Sequence, residues 1–93
     1  MNMITERNVA RHELIGLPVR VARSSDPSLI GAAGRVVDET RNMLALSHDA
    51  GGRKVWVPKQ GCTFQFSLPG GKSASIDGND ISFRPEDRVK RCR

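Results

Sequence analysis

Between Gly34 and Leu68 the chain alternates apolar and polar residues in short bursts, each closed by residues of the Gly, Asn or Asp kind. Four bursts read as strands: Arg35–Glu39, Met43–His48, Lys54–Val57 and Thr63–Leu68. The breaks between them fall at residues 40–42, 49–52 and 59–62. Strands recurring at this spacing predict a small all-β barrel or sandwich, to which the rest of the chain adds strands, caps or tails. The cleanest two-residue period is Phe64, Phe66 and Leu68 alternating with Gln65 and Ser67, as in a half-buried strand. Val36 and Val37 break the alternation, so either both faces are covered there or a bulge re-aims one side chain. Leu44 and Leu46 are the better core candidates of their strand. Val55 and Val57 share a face, which leaves Trp56 on the other, either as a contact surface or beneath a terminal helix.

Upstream, Leu17–Arg23 alternates Leu17, Val19 and Val21 against Arg20, a half-buried strand with a basic outer face. Residues 24–28 form a loop whose Pro27 cannot donate to a ladder, and Gly31 and Gly34 mark a bent strand entry. Nearer the N-terminus, Thr5 is positioned to cap a helix over about Glu6–Ile15, with Ile4 and Val9 as its hydrophobic staple. Gly16 and Pro18 stop it. Its apolar residues Val9, Ala10, Leu14 and Ile15 are few, so it docks either on its own barrel or on a partner.

Downstream, residues 69–72 turn the chain, Ser73–Ile76 forms a short strand, and 77–80 makes a hairpin turn with a type I′-favoured Asp-Gly pair. Ile81 and Phe83 close a last strand. Pro85, with Glu86 and Asp87 before Arg88, Lys90 and Arg91, suits a short C-terminal helix; the alternative is a basic tail. The expected organisation is one domain over 1–93: an N-terminal helical segment (1–16), the barrel (17–83) and a C-terminal segment (84–93).

A formal charge of +5 favours a polyanionic partner such as nucleic acid. Two cysteines, Cys62 and Cys92, and two histidines, His12 and His48, lack the paired spacing of a structural metal site. Free thiols in a reducing compartment are the expectation. No apolar run approaches the roughly 20 residues of a membrane span, and no signal peptide is visible.

Catalytic chemistry is poorly served. No motif ties Ser, His and Asp into a nucleophile set, and Asp49–Gly52 lacks the spacing of a phosphate loop. Asp38 and Glu39 are strand neighbours, so their side chains point to opposite faces and make no acid/base pair. They read as surface charge or turn acceptors. What remains is basic residues spread along strands and loops, the pattern of phosphate contacts that give affinity with little base reading. With the three Phe on core-facing alternations, recognition of folded RNA by shape and backbone fits better than stacking on unpaired bases.

Four segments carry a family likeness: His12–Leu17, Gly34–Asn42, Trp56–Lys59 before the Phe-Xaa-Phe strand, and Ile81–Val89. In order and spacing, from about His12 to Arg91, the chain resembles the archaeal ribonuclease P protein component 1 family, homologous to a eukaryotic ribonuclease P/MRP subunit. The resemblance implies an all-β fold with small helical additions: an Sm-like, SH3-like twisted antiparallel barrel with an N-terminal helix and a short C-terminal helix or tail. It implies a non-catalytic RNA-binding subunit of the ribonucleoprotein endonuclease that removes the 5′ leader from precursor tRNA. The chain itself would carry no cofactor, the Mg2+-dependent chemistry lying with the RNA subunit. The implied partners are the specificity domain of that RNA and a small zinc-ribbon protein subunit, with precursor tRNA met indirectly, in the cytoplasm. The partner-facing candidates it implies here are Val9, Leu14, Ile15, Arg84, Pro85 and Val89. The RNA-facing candidates are Arg20, Arg23, Arg35, Arg41, Arg53, Lys54, Lys59, Lys72, Arg88 and Lys90, with the 40–42 turn presenting Arg41 beside Lys59. The alternative is a general SH3-like or Sm-like protein-interaction or ribosome-associated RNA-binding module. Against the SH3 reading, such grooves are lined by aromatics, and this chain has no Tyr and one Trp.

Overall fold

Alternation with a period of two builds an antiparallel sheet, seen here in a computed structural model that describes residues 14–48 and 53–83. Six strands form it: β1 (Pro18–Ser24), β2 (Ala33–Glu39), β3 (Met43–Ser47), β4 (Val55–Pro58), β5 (Cys62–Ser67) and β6 (Ser73–Asp77). Their order is β4-β3-β2-β1-β5-β6, with every neighbouring pair antiparallel. The all-β class therefore holds, and β4 and β6 are the edges.

One face of the sheet carries the core. Val19, Val21, Val36, Leu44, Leu46, Val57, Phe64 and Phe66 are all buried and pack as one cluster with Leu14, Leu17, Leu68 and Ile81. The rings of Phe64 and Phe66 lie 6.2 Å apart at 45°, close enough to add a tilted aromatic contact to their burial. Each large side chain removed from water contributes about 1.5–3 kcal/mol, so a small sheet with this inventory can hold together. The leucines of β3 face inward as expected.

The Val36–Val37 irregularity resolves as a bulge. Val36 pairs with Leu46 but Asp38 with Ala45, leaving Val37 as the extra residue. Val37 is turned outward, and the residues after it change phase: Glu39 falls opposite Leu44, on the core side. A second bulge lies between Val21 and Arg23 of β1.

Several expectations need correction. Residues 14–16 are not helical; Leu14 is buried in the core, and the rest of the expected helix lies outside the described residues. Residues 77–80 do not form a type I′ hairpin turn. Gly78–Ile81 is instead a 3-10 turn capped by Asp77, whose carboxylate accepts from the Asn79 backbone N–H at 2.9 Å. Gly78 is not in the left-handed region. It is needed for a different reason: a Cβ there would overlap the Lys59 carbonyl oxygen. Consequently Ile81 and Phe83 belong to no strand, and Ile81 enters the core from a turn. The expected C-terminal helix lies outside the described residues. Val57 is buried, whereas Val55 is half exposed on the edge strand. The loop at 24–28 also contains a 3-10 turn, Pro27–Leu29, capped by Asp26.

Candidate nucleic-acid interface

Because β1, β2 and β5 bury Val19, Val21, Val36, Phe64 and Phe66 on one side, alternation forces the polar residues between them onto the other. Arg20 of β1 stands beside Gln65 of β5, and Arg35 of β2 beside Pro18 of β1. Arg20 and Arg35 are thus diagonal neighbours, a relation that places Cβ atoms roughly 7–8 Å apart. Arg35 also pairs with Ser47, the last residue of β3, which brings His48 to the same end. Gly34 allows this approach: a Cβ there would sit 2.7 Å from the Ser47 carbonyl oxygen. Together these residues line an open cavity of about 510 Å³, walled by Arg20, Arg35, His48, Gln65 and Ser67 over a floor of Ala33 and Gly34.

The groove's electrostatics follow from what holds the two guanidinium groups. Arg20 Nη2 donates to Gln65 Oε1 at 2.7 Å, and Arg35 Nη1 donates to the Gly16 carbonyl at 2.8 Å. Both acceptors are neutral. Among the described residues no Asp or Glu lines the groove, and neither arginine pairs with a carboxylate. A guanidinium carries five donors, so each keeps donors and full charge for a ligand.

Lys59 behaves in the opposite way, and its expected place at the surface is wrong. The residue is 0% exposed. Its ammonium donates to Glu39 Oε2 at 2.8 Å, to the Thr40 carbonyl at 2.7 Å and to the Phe83 carbonyl at 3.1 Å. An ammonium has three donors, and all three are engaged. The Glu39 side chain is equally hidden, at 1%, so this carboxylate is an internal counter-charge rather than surface charge. Asp38, pointing the other way, accepts the Glu39 backbone N–H at 2.8 Å and lies 4.0 Å from Lys54. Arg41 is exposed at the turn that Lys59 supports from below, where Thr40 and Met43 exchange bonds of 2.9 and 3.1 Å. Along β2 it stands six residues beyond Arg35, roughly 20 Å at the usual strand rise. The basic candidates therefore do not make one edge: Arg20 and Arg35 share the groove, and Arg41 sits at the far end of the sheet.

Arg23, Arg53 and Lys72 are exposed and outside the groove, as is Lys54. Arg88 and Lys90 lie outside the described residues, as do Val9, Arg84, Pro85 and Val89 among the partner-facing candidates. Of the two described partner-facing candidates, Leu14 is fully buried and cannot face a partner, whereas Ile15 is 54% exposed. Trp56 stands opposite Ala45 on the edge strand and is 41% exposed. Phe64 and Phe66 offer no stacking surface, being buried. In the 24–28 loop, the Ser28 hydroxyl and backbone N–H donate to Asp26 and hold its carboxyl below the usual range.

The family described as ribonuclease P/MRP, subunit p29, matches residues 7–91. The chain belongs to that family. Ribonuclease P protein component 1 of Methanothermobacter thermautotrophicus is 52% identical over 89 residues, covering 96% of this chain and 95% of the relative. The protein of the same name from Pyrococcus abyssi is 48% identical over 89 residues, covering 95% of this chain and 67% of the relative. A solved structure, Mth11, a homologue of human RNase P protein Rpp29, aligns with a TM-score of 0.62 at 50% identity. It covers 84% of this chain and 99% of that one. The family match spans both the groove and the Glu39–Lys59 pair.

Three groove residues escape a reading by charge alone: His48, Gln65 and Ser67. Gln65 and Ser67 were visible as the polar partners of the Phe64–Phe66 alternation. His48 was not, because its place depends on the pairing of Ser47 with Arg35.

Proposed function

We propose that this chain is a non-catalytic RNA-binding subunit of ribonuclease P, the ribonucleoprotein that trims the 5′ leader of precursor tRNA. The observation that carries the reading is the p29-family match across residues 7–91. The sheet surface supports it: its outer face holds arginines that no carboxylate among the described residues neutralises. Phosphate contacts from such residues hold an RNA by its backbone. Neutralising that backbone lets a large RNA fold and hold substrate with less Mg2+, which the RNA subunit uses for the chemistry. The sheet curls as an Sm-like barrel. A small zinc-ribbon subunit docks beside Ile15 and the C-terminal segment, and the pair works in the cytoplasm on the specificity domain of the RNA. Precursor tRNA is met indirectly.

The binding arm of this reading is tested by titrating the full chain against an archaeal ribonuclease P RNA over a range of salt. Log K should fall linearly with log salt, by about 0.7–0.9 per phosphate contacted. Affinity that does not respond to salt would contradict it.

A further inference from the structure

The groove between β1, β2, β3 and β5 is more specific than a generally basic surface. Its two arginines are diagonal neighbours on one sheet face and are each fixed by a neutral acceptor, Gln65 Oε1 for Arg20 and the Gly16 carbonyl for Arg35. Fixing a guanidinium this way removes rotamer freedom before a ligand arrives, while the charge stays intact. A planar fork is suited to two-point contact with phosphate oxygens. His48, Gln65 and Ser67 add short-range polar groups around the same cavity, whose described lining contains no acid. By contrast, Lys54 lies 4.0 Å from Asp38 and Lys59 is consumed inside the protein. Arg41 lies beyond the other end of β2.

We infer that this groove is a preorganised subsite for the phosphodiester backbone of RNA, with Arg20 and Arg35 gripping neighbouring phosphates and His48, Gln65 and Ser67 completing the walls. The inference rests on the RNA-binding reading and deepens it: this groove, rather than the basic surface as a whole, carries most of the phosphate contact.

The test compares three full-length variants with the wild type by filter binding to an archaeal ribonuclease P RNA transcript, with thermal melts as a check on folding. Arg20→Gln with Arg35→Gln empties the groove of charge. Arg23→Gln with Lys72→Gln removes the same charge outside it. Arg20→Lys with Arg35→Lys keeps the charge but loses the fork. The groove pair should lose roughly tenfold or more in affinity near 0.15 M salt, as two charge-assisted contacts imply. Its salt slope should shrink by about 1.4–1.8, two phosphates' worth. The outside pair should lose no more than about threefold, and the lysine pair should recover the slope with part of the affinity. Equal losses from the groove and outside pairs, in a chain whose wild type binds RNA, would overturn the groove and leave the RNA-binding reading standing. A lysine pair that recovers nothing would also overturn it, since the contact would then not be electrostatic. No binding by the wild type would overturn both readings.

Discussion

Replacing Lys59 with Met tests the buried Glu39–Lys59 pair directly. The ammonium is 0% exposed and donates to Glu39, Thr40 and Phe83. Methionine fills a similar volume, so packing is largely kept and the polar contacts are lost. Glu39 then stays buried without its lysine counter-charge, and two backbone carbonyls lose a donor. Breaking a buried ion pair from one side costs about 3–5 kcal/mol. A domain of this size has a total stability of about 5–14 kcal/mol, so Lys59→Met removes a large share of it. In a melt the loss corresponds to about 15 °C or more. Glu39→Gln should be milder, at about 1.5–3 kcal/mol, because the amide oxygen can still accept from Lys59. Urea unfolding of the two singles and the double gives the coupling between the sites. If Lys59→Met cost less than about 1 kcal/mol, as exposed pairs do, the buried pair would not exist in solution.

Other outcomes follow from single positions. Leu14→Ala should cost about 2–5 kcal/mol because it empties a core site, whereas Ile15→Ala, one residue on, should stay within about 0.5 kcal/mol; chemical denaturation of the two separates them. Gly78→Ala should destabilise by about 1–3 kcal/mol as the backbone yields to the overlap with the Lys59 carbonyl, read by the same denaturation. For Asp26, the Ser28 donors lower the folded-state pKa below its unfolded value. Its contribution is therefore present above the unfolded pKa and lost as pH falls through the folded one. An NMR titration should find this carboxyl below the ordinary aspartate range, and Ser28→Ala should move it back up.

Much of this fold was legible because alternation with Gly, Asn and Asp punctuation is a local signal. Five strands of the sheet lie within a residue or two of their expected bounds, and the sixth, β6, gains only Asp77. The misses are places where a non-local contact decides. Ile81, Ser82 and Phe83 alternate like a strand, yet the 3-10 turn beginning at Gly78 backs onto Lys59 and ends the ladder. Leu14 looked like one side of an amphipathic helix, but it is taken by the core. Lys59 is the most instructive. Val55, Val57 and Lys59 continue one two-residue period, and carrying that period through would have sent the lysine inward. The bulge at Val37 sends Glu39 to meet it. Charge alone argued for the surface, and the partner that made burial tolerable lay 20 residues away.

The same reasoning explains why the basic candidates lie scattered in space. A sequence shows which side of a strand an arginine occupies. It does not show which strands lie side by side, and β1 sits between β2 and β5 only in the folded sheet. Arg20, Arg35, Gln65 and His48 become one groove through that order.

The most direct measurement is cleavage of precursor tRNA by an archaeal ribonuclease P reconstituted from its RNA and protein subunits, with and without this chain, over a series of magnesium concentrations. A working RNA-binding subunit should raise the cleavage rate most at low magnesium and leave the purified protein alone inactive. Equal rates with and without the chain at every magnesium concentration would contradict the assignment.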